Sequence, residues 1–298
     1  MSDSSESGYF TDPRPYIIAH PEILKIAPTG SKSGVADAEK IMSLNPDVLF
    51  IAGSSPDNVQ AANEIQEKTG IPTVLFYSGI YTDEPEKVKN SLEMISSIFG
   101  TETRCKELIA YFDSVNADIQ KRVSSVPASD ERAYICGVSY RGEHGTDGTN
   151  PNYLPFILLK ANNVAKDVAP SGVKDFATVA KEQIVAWDPQ VIFVSLGTQN
   201  AANGGAIGEL KSDPSYTGIT AVQKGEVYGL IPENSMGSNY ENGLANSYFV
   251  GKTLYPDQFT DIDPAKKADE IFTKVDGGSA FDQINKNEQG LVFQKIKS

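Results

Sequence analysis

Two stretches of the chain carry the same hydrophobic pattern 143 residues apart, measured from Pro46 to Pro189. Ala38–Gly53 reads AEKIMSLNPDVLFIAG and Ala180–Ser195 reads AKEQIVAWDPQVIFVS. With the prolines aligned, Ile41 falls on Ile184, Leu44 on Trp187, Val48 on Val191 and Phe50 on Phe193. In each copy apolar residues three apart mark one face of a short helix, a proline ends it, and a β-branched and aromatic run follows without polar alternation. Such a run predicts a strand buried on both faces, as in parallel sheets. A Gly/Ser/Asn loop, helical sequence and a second strand come next, at Thr73–Tyr77 and Glu226–Ile231. Strand, helix, strand in that order needs a right-handed crossover.

Between the copies, Pro85–Phe99 and Arg104–Val123 place leucine, isoleucine and aromatic residues three and four apart. The second predicts a helix of about 20 residues, spanning ~30 Å, long enough to be a strut between two lobes. VSSVPASDE, over Val123–Glu131, breaks the pattern. A further strand is expected at Arg132–Ser139, and its repeat partner would fall before Met1. The expected architecture is therefore α/β: two lobes with mostly parallel sheets flanked by helices, joined by one long helix, the first lobe incomplete for want of its opening strand. The boundaries are 1–103 for the N-terminal lobe, 104–125 for the linking helix and 126–298 for the C-terminal lobe. The chain reads as shortened at its N-terminus.

Composition narrows the function. The 298 residues suit two cores better than one, and 40% apolar content is enough to build both. Lysine and arginine number 26 against 39 acidic residues, a net charge of −13 that repels phosphate backbones and anionic lipids, so nucleic acid is not an expected partner. No apolar run reaches the ~18 residues that would suggest a membrane span. Met1–Gly8 is polar and serine-rich, without the basic start and apolar stretch of a secretory signal. Cys105 and Cys136 lie in a predicted helix and strand and read as free, buried thiols. There is no GxSxG, Walker or HExxH sequence, and the glycines of Ala201–Gly205 lack the GxGxxG spacing, so no catalytic residues are expected.

The repeat, the strut and four local motifs together resemble the substrate-binding proteins of ABC importers for iron-siderophore complexes, haem and cobalamin. The motifs are Asn45–Phe50 and Trp187–Phe193 at the strand entries; Leu158–Ala165, LLKANNVA with Lys160 where glycine is usual; and Leu244–Tyr248 before Leu254–Phe259. The resemblance covers about residues 14–275. It implies two α/β lobes joined by one helix, an extracytoplasmic location, and an importer permease as partner. It also implies that ferric siderophore, haem or cobalamin is bound as cargo, with no cofactor acting as a catalyst. Haem-binding members often carry a tyrosine in the loop before the first signature helix; Gly30–Asp37 has none, which weighs against haem.

Ligands of open parallel sheets sit beyond the carboxyl ends of the strands. The loop Tyr140–Asn150 is dense in glycine and polar groups. Arg141 in it could pair with a carboxylate or chelate oxygen. His144 and His20 are the only histidines, are assigned to different lobes, and could reach a metal, although a structural role is the commoner fate of such histidines. Tyr81, Asn239, Tyr240 and Asn242 follow predicted strands and could orient a planar ligand or simply pack. Trp187, echoing Leu44, reads as core. In the family one acidic residue per lobe meets permease arginines; Asp57 and Glu209 are the candidates, with ordinary helix-start carboxylates as the alternative. No metal-ligand set can be assigned. The rival readings are a metal chelatase or cofactor-using enzyme on a similar frame, and a remnant or interaction protein that binds nothing.

Overall fold

A computed structural model describes all residues except 1–11, 27–36, 54, 80, 82–83, 141, 236 and 298. They cluster into two compact units, Glu22–Ile109 for the first and, for the second, the described part of Tyr9–Pro21 with Ala110–Ser298. The division falls inside one continuous helix, Glu102–Arg122.

In the first unit, strand β1 (Leu49–Ala52) pairs in parallel with β2 (Thr73–Phe76), Leu49 opposite Thr73. The helix Pro56–Thr69 crosses between them. Its start is a capping box, in which Asn58 N–H donates to Ser55 Oγ at 3.2 Å and Ser55 N–H donates to Asn58 Oδ1 at 3.0 Å. Ile41, Ala62 and Ile65 form the buried centre, while Leu44 stays 45% exposed.

The second unit holds a four-stranded parallel sheet in the order β5 (Asn162–Asn163), β3 (Arg132–Cys136), β7 (Val191–Ser195), β8 (Val227–Leu230), with a short antiparallel pair, β4 (Gly148–Thr149) and β6 (Ala177–Thr178), beside it. Ile135, Cys136, Ile192 and Phe193 are fully buried, as the unalternating runs require. Both cysteines are free and buried. The C-terminal residues run along β8, where Phe293 N–H donates to Gly229 O and Ile296 N–H to Val227 O. That occupies an edge that would otherwise be open. Trp187 is partly buried and packs on the core through Tyr134, ring centroids 6.0 Å apart.

The repeated segments share their local structure. Ala38–Leu44 and Lys181–Trp187 are seven-residue helices, each closed by a residue in the left-handed region, Asn45 at φ 47° and Asp188 at φ 44°. In both, that residue's N–H donates to the carbonyls three and four residues earlier. β1 and β7 nevertheless belong to different sheets. Among the described residues the first sheet has two strands and the larger parallel sheet of the second unit has four.

Candidate functional site

The carboxyl ends of β3, β7 and β8 lie on one side of their sheet because the three strands are parallel neighbours. The loop after β3 folds back on itself, with Gly137 N–H on Gly145 O at 3.0 Å and Val138 N–H on Gly148 O at 3.2 Å. Glu209, from the helix Gly205–Ser212, clasps it: one carboxylate oxygen accepts from Thr146 N–H at 2.8 Å and from Thr146 Oγ1 at 2.6 Å. A side chain at Gly145 would displace the clasp, since a Cβ would lie 2.0 Å from Glu209 Oε1. Thr146 Oγ1 also meets the Tyr216 hydroxyl at 2.6 Å.

The clasped loop presents His144. Its Nδ1 lies 3.1 Å from Asp147 Oδ2, while Asp147 Oδ1 accepts from Gly145 N–H at 3.0 Å, so the carboxylate is held by the loop it organises. An imidazole with Nδ1–H bound to a carboxylate has Nε2 as its lone-pair nitrogen, the state that coordinates a metal or accepts a hydrogen bond. The ring rests on Phe176, centroids 4.8 Å apart, and Phe176 also faces Tyr140 at 5.6 Å. His144, Asp147 and Tyr140 are thus partly exposed around the buried Phe176.

The other residues expected from sequence have different surroundings. Arg141 lies outside the described residues. His20 belongs to the second unit rather than the first, because residues 12–20 dock on its C-terminal helices; its Nε2 lies 2.7 Å from Asp276 O. Asn239 is buried and spends its amide on the carbonyls of Glu233, Ser235 and Gly237. Asn242 is fully buried and donates to Pro13 O and Pro232 O. Both asparagines therefore close the turn after β8. The Tyr240 hydroxyl exchanges hydrogen bonds with the Asn116 side chain, its ring sits edge-on to Phe112 at 5.1 Å, and burial pushes its phenol well above the usual range. Tyr81, in the first unit, is 3% exposed with Lys89 Nζ 5.6 Å from its ring centre. Asp57 is exposed in the first turn of Pro56–Thr69, whereas Glu209 is the clasp already described and not a helix-start carboxylate.

Sequence reading missed Asp147, Phe176 and Glu233. Asp147 sits three residues from His144 and was legible as a local partner. Phe176 and Glu233 reach the region only through tertiary folding. Among the described residues, no three His, Cys, Asp or Glu side chains converge to hold a bare metal ion.

A family profile described as periplasmic binding protein matches residues 20–233. The molybdate-binding protein MolA of Haemophilus influenzae is 24% identical over 279 residues, covering 87% of this chain and 75% of its own length. The iron-uptake system-binding protein of Bacillus subtilis is 23% identical over 212 residues, covering 68% of this chain and 61% of its own. Among solved structures, a periplasmic solute binding protein from Veillonella parvula superposes with a TM-score of 0.66 at 18% identity, covering 93% of this chain and 81% of that one. At such identities the structural likeness speaks for the fold alone, which is the two-lobed α/β frame with parallel sheets flanked by helices.

Proposed function

Because the chain belongs to the periplasmic binding protein family, whose members are solute-binding components of ABC transporters and not enzymes, we propose that it captures an anionic metal complex outside the cytoplasm and delivers it to an importer permease. The observation that carries this reading is the His144–Asp147 pair on a clasped loop beyond the carboxyl end of β3, where open parallel sheets receive ligands. A chelated ion arrives with most of its coordination filled, and one oriented imidazole can complete it. The proposed cargo is a ferric siderophore or a related chelate; haem and cobalamin are the lesser candidates. Arg141 is proposed as a charge partner in the same loop and Asp57 as a permease contact.

A second reading has one specific support. MolA, similar over most of this chain, is a molybdate-binding protein, a ligand class outside those the sequence suggested. A tetrahedral oxyanion would use hydrogen-bond donors of this loop in place of metal coordination.

Titration calorimetry of the protein with a ferric hydroxamate siderophore, haem, cobalamin and sodium molybdate separates the readings. His144→Ala is expected to weaken binding of the preferred ligand by about 1.5–3 kcal/mol, the range for a hydrogen bond to a charged group. Arg141→Ala should do the same for an anionic chelate. Unchanged affinity in both variants would remove this loop from the site.

A further inference from the structure

The turn after β8 carries an acid that no cation balances among the described residues. Glu233 lies three residues beyond Leu230, and its Oε2 is buried without a hydrogen-bond partner. Among the described residues the other oxygen, Oε1, accepts only from Asn150 Nδ2, at the long distance of 3.5 Å. Its backbone is fixed in the turn, where the Glu233 carbonyl accepts from Asn239 N–H at 2.7 Å and from Asn239 Nδ2 at 3.2 Å. Its floor is tight and partly apolar: a Cβ on Gly243 would lie 2.7 Å from Leu154 Cδ2 and 3.0 Å from Glu233 Oε2. Ser235, 4% exposed in the same turn, also has a buried Oγ without a partner.

Among the described residues, the titratable groups whose charge acts on Glu233 or responds to it are Asp175 and Tyr153. Neither is a cation. Asp175 adjoins Phe176, whose ring packs on His144, so the segment 175–176 rests on His144 and lies near enough for its charge to act on Glu233.

An ionised carboxylate in this position would be buried beside a second carboxylate with one weak neutral donor, which is costly. A neutral carboxylic acid is tolerated, but it leaves an O–H donor needing an acceptor. We propose that Glu233 is a ligand contact of this site, donating a hydrogen bond from Oε2 as a neutral carboxylic acid to an anionic oxygen of the captured complex. The proposal rests on the reading of the chain as a binder of anionic complexes. Burial, and then the Asp175 charge, push the Glu233 carboxyl up to about 8, in keeping with a neutral acid at pH 7. An anionic ligand would hold that proton more firmly, and ionisation above pH 8 would turn a donor into a repelling charge. Glu233 thereby selects for ligands that offer an acceptor oxygen.

Two measurements test this. In the ligand-free protein, carbon-13 NMR of labelled glutamate carboxyls, with Glu233→Gln for assignment, is expected to show Glu233 titrating near 8; a midpoint near the ordinary value of about 4.3 overturns the proposal. Calorimetry with sodium molybdate, a ferric hydroxamate and haem then reads the contact. For the probe that binds, Glu233→Ala should lose affinity about tenfold at pH 7, equivalent to one lost hydrogen bond. Glu233→Gln, whose amide still donates, should keep affinity at pH 7 and abolish the wild-type fall in affinity between pH 7 and 9. Equal affinity of wild type and Glu233→Ala overturns the contact alone. Failure of wild type to bind any probe overturns the functional reading, and the contact with it.

Discussion

Glu241 shows how burial sets a residue's chemistry. It is 8% exposed in the first turn of the helix Tyr240–Leu254, and burial, with the nearby Asp276 charge, pushes its carboxyl up to about 8. The folded protein therefore binds this proton more tightly than the unfolded chain does. Its contribution to stability is complete below the unfolded value of 4.5 and is lost as pH rises through about 8. Urea denaturation is expected to show Glu241→Gln close to wild type at pH 5 and more stable than wild type at pH 9 by about 1–3 kcal/mol, the cost of a buried unsatisfied polar group that the amide avoids. A variant less stable at pH 9 than wild type would contradict this account. The Glu209 clasp makes a second case: Glu209→Ala removes both hydrogen bonds to Thr146 and should cost ligand affinity through His144, an effect the conservative Glu209→Gln restores in part.

The two repeated helix-strand elements differ in how their left-handed caps are held. Asn45 and Asp188 have nearly the same backbone, so replacing either by alanine incurs the left-handed penalty of about 1–2 kcal/mol. Asp188 does more. Its side chain accepts from Thr220 N–H at 2.7 Å and Thr220 Oγ1 at 2.9 Å, and pairs with Arg132 at 3.1 Å; these hold its carboxyl below the usual range, the Thr220 backbone bond leading. Asp188→Ala should therefore destabilise the protein more than Asn45→Ala, and Asp188→Gly should recover only the backbone part. A depressed carboxylate stabilises above its unfolded value and ceases to as pH falls through its folded one, so the gap between the two alanine variants should narrow in acid. Chemical denaturation of the variants at pH 7 and pH 3.5 checks both statements. The pattern of apolar residues showed both elements, and Pro46 and Pro189 fixed their ends. That Asp188 ties three elements together was not legible, because Arg132 and Thr220 are distant in sequence.

At the scale of the molecule, the two units differ in how thoroughly their strands are buried. β7 is buried along nearly its whole length, whereas β1 and β2 keep every residue at least partly exposed. Opening free energies follow buried contacts, so native-state hydrogen exchange should find β1 and β2 amides exchanging well before those of β3 and β7. Equal protection in the two sheets would mean that the units open only together.

The sequence by itself determined the repeated helix-strand units, their parallel crossovers and the long helix, all local consequences of apolar spacing, proline and glycine. It also determined the family, because the strand-entry motifs are contiguous. It could not determine the site. His144 was expected from the loop that carries it, and its hydrogen-bond partner Asp147 is three residues away, while Asn239, Tyr240 and Asn242 carry the same polar chemistry and direct their donors inward. His20 was assigned to the wrong unit because sequence position does not record which core a terminal segment docks on. No local pattern marks Glu233 in the sequence. Only folding brings Asp175 and Asn150 to it and removes water from its Oε2, and a carboxyl's protonation state depends on those surroundings more than on its identity.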